Sequence, residues 1–218
     1  MKKGAIFDMD GLLIDTERLY GVGWRETVKF FGVNWIDGFD KFIAGTNGIK
    51  MLGMIHEYYP DVDARAFMDH CIQIERDLVK TDLNAMPGAS EILQFFRENG
   101  GKTAVASSSP IPVIQDNLGR LGLLPYFDAV TSGEEVTPGH EKPAPDIFLL
   151  AAQRLKIAPQ DCYVFEDGVK GSMAGIAAGC ATVMIPDLFR PTDYLKENLT
   201  GIYSSLTDAK KAIENGEI

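Results

Sequence analysis

Five short apolar runs recur along this 218-residue chain, and each is cut off by a polar or turn residue. They are Gly4 to Asp8, Thr103 to Ala106, Ala129 to Thr131, Cys162 to Phe165 and Thr182 to Ile185. Runs of this length with such bounds read as buried strands. Between them lie helical periodicities: Ile92, Leu93, Phe95 and Phe96; Val113, Ile114, Leu118 and Leu121; Ile147, Leu150, Ala151 and Leu155. Strand-then-helix alternation demands right-handed crossovers, so the expected class is α/β with a mainly parallel, doubly wound sheet. The tail from Leu206 to Ile213 reads as a last helix, with Thr207 or Asp208 near its N-cap.

From residue 16 to residue 82 the rhythm changes. Only helical spacing is found there, in Leu19, Trp24, Val28 and Phe31, then Met51, Met54, Ile55 and Tyr58, then Phe67, Cys71, Ile74 and Leu78. Met86-Pro87-Gly88 closes the stretch, where Pro and Gly end a helix and turn the chain. The expectation is a catalytic core of residues 1–15 and 83–218, with residues 16–82 inserted after the first strand as a helical cap. An insertion there falls at the carboxyl edge of the sheet, where open α/β folds bind ligands, and its expected job is that of a lid.

Composition narrows the function. A formal net charge of −10 and no cationic block exclude a nucleic-acid binder, whose phosphate partner selects clustered Lys and Arg. No run reaches the roughly 18 apolar residues of a membrane span. The N-terminus meets Asp8 and Asp10 too soon for a signal peptide, so the expected location is cytoplasmic. Cys71, Cys162 and Cys180 are too widely spaced for a disulfide framework or a zinc site, and read as reduced, buried thiols. A monomer is the default.

The chemistry gathers at strand ends. Asp8 and Asp10 close the first strand and are followed by Gly11, which allows a tight turn. A single intervening residue between two Asp is a weak signal: Asp61 and Asp63 repeat it in a polar turn and read as solvated acids near a helix start. At a strand end, however, two carboxylates can converge on one point, and two anions there need a cation. Hard oxygen ligands and a phosphate substrate favour Mg²⁺. Ser107, Ser108 and Ser109 follow the second strand, where hydroxyls and N–H groups can hold an anion; a serine-rich helix cap is the alternative. Lys142 stands among prolines, able to balance phosphate and nucleophile charge or to serve as an ordinary surface lysine. Glu166 and Asp167 close the fourth strand and suit outer-sphere and direct ligation of the same cation, or else a helix N-terminus. His56, His70 and His140 lack partners at ligand spacing and receive no catalytic role.

Taken in order, Phe7-Asp8-Met9-Asp10-Gly11-Leu12-Leu13-Ile14-Asp15-Thr16-Glu17, Ser107, Lys142 and Glu166-Asp167 resemble the four motifs of haloacid dehalogenase-type hydrolases. The resemblance spans nearly the whole chain and is nearest the β-phosphoglucomutase and pseudouridine or sugar-phosphate phosphatase group. It implies a Rossmann-like core, Asp8 as the nucleophile that forms an aspartyl-phosphate, and Asp10 as acid–base. Ser107 and Lys142 would then hold the phosphoryl oxygens, with Mg²⁺ bound by Asp8, the Asp10 carbonyl and Asp167. Two departures stand out. Gly168 replaces a Ser common after the paired acids, and Tyr20 stands where the mutase carries a His. The cap loop Gly45-Thr46-Asn47-Gly48-Ile49-Lys50 also lacks the mutase pattern, so hydrolysis is favoured. Gly45, Thr46, Asn47, Lys50 and Tyr20 become candidate substrate residues, with a simple helix-connecting turn as the alternative for the loop. The leading expectation is a phosphatase of a small phosphorylated metabolite, a sugar phosphate or nucleotide-like monoester; a phosphosugar mutase or a non-catalytic binding protein on the same fold stand behind it.

Overall fold

The computed structural model describes residues 1–44 and 48–218. In chain order the elements are β1 (Gly4–Phe7), α1 (Thr16–Phe30), α2 (Phe39–Ile43), α3 (Gly48–Tyr58), α4 (Ala64–Asp82), α5 (Ala89–Glu98), β2 (Lys102–Ser107), α6 (Ile111–Arg120) and β3 (Ala129–Ser132). They continue with α7 (Asp146–Leu155), β4 (Cys162–Glu166), α8 (Val169–Ala177), β5 (Ala181–Met184), α9 (Asp193–Asn198), β6 (Gly201–Ile202) and α10 (Leu206–Glu214). Two compact units result, one of Met1–Ile14 with Asn84–Ile218 and one of Asp15–Leu83.

The larger unit is a six-stranded sheet in the order β3-β2-β1-β4-β5-β6, with every pairing parallel. The chain leaves β1 towards β2 and β3, then returns to β1's other side for β4. Such a reversal makes a topological switch point, and ligands of open α/β sheets bind outside the carboxyl ends there.

Successive strand residues face opposite sides of a sheet, and both sides are covered here. Ile6, Ala104, Ala106 and Val164 pack with Ile147, Phe148, Ala151 and Leu155 of α7. Phe7 and Phe165 point the other way, stacked at 4.8 Å, and Phe96 of α5 meets Phe7 edge-on at 6.1 Å. Two covered faces explain why these strands read as unbroken apolar runs rather than alternating ones.

The doubly wound parallel sheet is as the sequence led one to expect, with three revisions. β6 has two residues, too short to leave a periodic trace. The last helix is capped by Ser205, whose hydroxyl accepts from the Asp208 N–H, rather than by Thr207 or Asp208. Val113 lies on the outer side of α6 and is exposed, so the buried stripe there runs through Ile114 and Leu118.

The smaller unit is helical. Trp24, Phe39, Tyr59 and Phe67 form its aromatic centre, with Trp24 edge-on to Phe39 at 5.3 Å. Its α2 escapes sequence reading because five residues span little more than one turn. Arg18 fastens the base, donating to Asp15 and Asp82 at 2.7 Å each. All three cysteines are free and buried. Among the described residues no helix is long and apolar enough to cross a membrane.

Candidate active site

Strand register assembles the site. Phe7 pairs with Val105 on one side and Phe165 on the other, so the residues that follow them emerge side by side. Asp8 continues the ladder by donating its N–H to the Phe165 carbonyl at 3.0 Å. Ser107 and Glu166 stand at the same edge as the last residues of β2 and β4. At Gly11, φ is +79°, a conformation that glycine adopts without strain, and the chain turns back so that its N–H meets the Ile14 carbonyl.

Lys142 reaches this edge from the loop before α7. Its ammonium donates to Asp8 Oδ1 at 2.5 Å, Glu166 Oε1 at 2.7 Å and the Ala106 carbonyl at 3.2 Å. Three N–H donors thus meet three acceptors. Nζ also lies 5.0 Å from the Phe148 ring centroid, a favourable cation–π distance. With its side chain 10% exposed, Lys142 is no surface lysine.

The charges do not balance. Burial pushes the Asp8 carboxyl up to about 8, against the pull of Lys142, and the Glu166 and Asp10 carboxylates add to the rise. Burial also opposes the charge on Lys142, but Asp8 and Glu166 outweigh it and hold the ammonium above its ordinary value. Asp8, Glu166 and Asp167 each offer a carboxylate oxygen within 4.8 Å of the others. Three close acids beside one ammonium leave excess negative charge, and an all-oxygen donor set of this kind fits a hard divalent cation.

Glu166 is held on both sides, since Oε1 takes Lys142 and Oε2 accepts the Gly168 N–H at 3.1 Å. It also lies against Gly171: a Cβ there would fall 1.7 Å from Oε1 and 2.0 Å from Cδ. Gly171→Ala is therefore expected to displace Glu166 and loosen Lys142. Overpacking of this kind costs about 1–3 kcal/mol. Urea denaturation measures the loss.

Asp10 sits opposite, its Oδ2 receiving the hydroxyls of Ser107 and Ser109 at 3.2 Å each. Asp8, Asp10, Ser107, Lys142, Glu166 and Asp167 therefore belong to one site. Ser108 is exposed, while Ser109 turns inward. Tyr20 packs half-buried against the aromatic centre of the smaller unit, and Lys50 is exposed on α3. Gly45, Thr46 and Asn47 lie outside the described residues. The histidines have other partners or positions: His70 meets Thr27 Oγ1 at 3.0 Å, His140 meets Asp146 at 2.8 Å, and His56 is exposed. Sequence reading overlooked Phe148 and the tasks of Ser109 and Gly171. Only the glycine's place five residues after Glu166, at the first turn of α8, hinted at close backbone approach.

Fold and site together describe a doubly wound α/β protein with an acid-lined, lysine-bridged strand edge. The haloacid dehalogenase-like hydrolase family model matches residues 2–179, and the chain belongs to that family. It is 31% identical over 217 residues to the phosphorylated carbohydrates phosphatase of Thermotoga maritima, covering 99% of this chain and 92% of the relative. It is 33% identical over 181 residues to the fructose-1-phosphate phosphatase YqaB of Escherichia coli K12, covering 83% and 94% respectively. Among solved structures, a haloacid dehalogenase family hydrolase from Deinococcus radiodurans with bound phosphate and sodium superposes with a TM-score of 0.83 at 25% identity, covering 98% of this chain and 96% of that one. The relatives are phosphatases by name, and the chain is a phosphoric monoester hydrolase.

Proposed function

We propose that the protein is a Mg²⁺-dependent phosphatase of small phosphorylated metabolites, sugar phosphates foremost, working through an aspartyl-phosphate on Asp8. The reading is carried by Asp8 itself: a buried carboxylate at a strand tip, bridged to Lys142 at 2.5 Å, with Asp10 held at the same edge.

Asp8 attacks phosphorus in line, forming the Asp8 O–P bond as the bond to the leaving oxygen breaks. Asp10 gives that oxygen its proton. Asp10 then takes a proton from water as the water attacks phosphorus and the Asp8 O–P bond breaks, which restores both carboxyl groups. Lys142 and Ser107 hold the transferring oxygens, so that positioning and charge neutralisation supply most of the acceleration. Asp8 and Asp167 would hold Mg²⁺ directly, and Glu166, committed to Lys142 and Gly168, would act from the outer sphere. The ion's chemistry is to neutralise phosphate charge. Residues 15–83 are read as the cap that selects the leaving group. The names of the curated relatives support a phosphorylated carbohydrate as substrate.

The test is inorganic phosphate release from a panel of hexose, pentose and polyol phosphates. Release with Mg²⁺, abolished by chelator and restored by the ion, is expected. Isomerisation of a sugar phosphate without release would overturn hydrolysis.

A further inference from the structure

We propose that the turn after edge strand β3 is a positioning device for Asp10, acting through Ser132 and Ser109. The proposal rests on the reading of Asp10 as general acid.

The contacts form one continuous path. Arg154 of α7 grips Glu135 with two donors, at 2.6 and 2.9 Å, and also donates to the Val130 carbonyl. Glu135 accepts the Ser132 N–H at 2.9 Å, while the Ser132 hydroxyl accepts the Glu134 N–H at 3.1 Å. This reciprocal capping box fixes the turn Gly133–Glu135 at both ends. The Ser132 hydroxyl, fully buried, spends its own proton on the Ser109 carbonyl at 2.7 Å. Ser109 then donates its N–H to Ser107 Oγ at 3.1 Å and its hydroxyl to Asp10 Oδ2 at 3.2 Å.

Backbone packing follows the same path. A Cβ on Gly133 would lie 3.1 Å from the Ser108 Cα, so the turn rests directly on the loop that carries the serines. Without Ser132, the Ser109 carbonyl and the Glu134 N–H would both lose a partner, and the tie from the turn to the Ser109 carbonyl would be gone. The Ser109 hydroxyl on Oδ2 fixes the rotation of the Asp10 carboxyl and stays there when Ser107 turns its single proton to the phosphoryl group. A general acid needs that orientation, since its proton must point at the leaving oxygen. Ser132, Glu135 and Arg154 touch no reacting atom in this scheme and are positioning residues.

Leaving-group chemistry separates this role from simple structural support. An alkoxide must be protonated as it departs, whereas 2,4-dinitrophenolate leaves without help. For each enzyme, kcat/KM is measured with a hexose phosphate and with 2,4-dinitrophenyl phosphate, in Mg²⁺. Ser109→Ala and Ser132→Ala are each expected to lower kcat/KM roughly tenfold for the hexose phosphate and less than about twofold for the aryl ester, as loss of oriented proton transfer implies. Because Ser132 acts through Ser109, the double variant should lose no more than Ser109→Ala alone. Equal losses on both substrates, additive losses, or a change confined to KM would each overturn the proposal. Should Ser132→Ala not fold, Glu135→Gln, which weakens the hold on the Ser132 N–H, is measured with the same two substrates and must show the same selective loss. If the unaltered enzyme releases phosphate from neither ester, the phosphatase reading itself fails; a loss blind to the leaving group in an active enzyme removes only the positioning role.

Discussion

Asp8→Asn is expected to lower phosphate release by about 10⁴-fold or more, the scale seen when a nucleophile that acts as part of a unit is removed. The amide keeps the shape of the carboxylate and can still accept from Lys142, so the loss is chemical rather than structural. Initial rates at saturating Mg²⁺, with folding checked by circular dichroism, measure it; near-native turnover would refute Asp8 as nucleophile. The same substitution has a second, opposite effect. In folded, metal-free protein the Asp8 carboxyl is raised to about 8 from an ordinary 3.8, chiefly by burial. Its folded value exceeds its unfolded one, so it contributes stability below the unfolded value that disappears as pH rises through the folded one. In chelator, the stability of the unaltered protein relative to Asp8→Asn should therefore fall between about pH 4 and pH 8. Urea midpoints across that range, with and without Mg²⁺, follow the difference.

Lys142→Met carries the second large effect. The substitution preserves much of the side-chain volume but strips Asp8 and Glu166 of their shared cation, with side chains 10% and 3% exposed. Breaking a buried pair from one side costs about 3–5 kcal/mol, because the remaining charge stays buried. Turnover should fall about 10²- to 10³-fold through loss of one oriented donor to the phosphoryl group. The stability deficit should shrink on acidification, since protonating the stranded Asp8 carboxylate removes charge that lacks compensation. Denaturation at two pH values gives the sign. A deficit independent of pH would mean that Lys142 matters for packing against Phe148 rather than for charge.

What could be read from the sequence follows the range of the forces involved. Strand ends are local events, so Asp8, Asp10, Ser107, Glu166 and Asp167 announce themselves where apolar runs stop. Lys142 lies in no element, and only the resemblance in motif order separated it from a surface lysine. Ser109 was quoted within its motif, yet its task depends on Ser132, 23 residues away, and no pattern in one strand reveals that link. Gly171 likewise means little until the Glu166 side chain is known to lie against it. In the helical unit, spacing alone separates neither role for Tyr20: a half-buried side chain at the edge of an aromatic cluster leaves the same periodic trace whether or not it also faces a ligand.

The threefold grip of Lys142 bears on how the molecule is made. Where a metal is the keystone of a fold, the empty polypeptide stays unfolded and synthesis depends on supply of the ion. Here the Lys142 ammonium already ties three strand tips together, so this edge of the sheet is closed by a cation that belongs to the polypeptide itself.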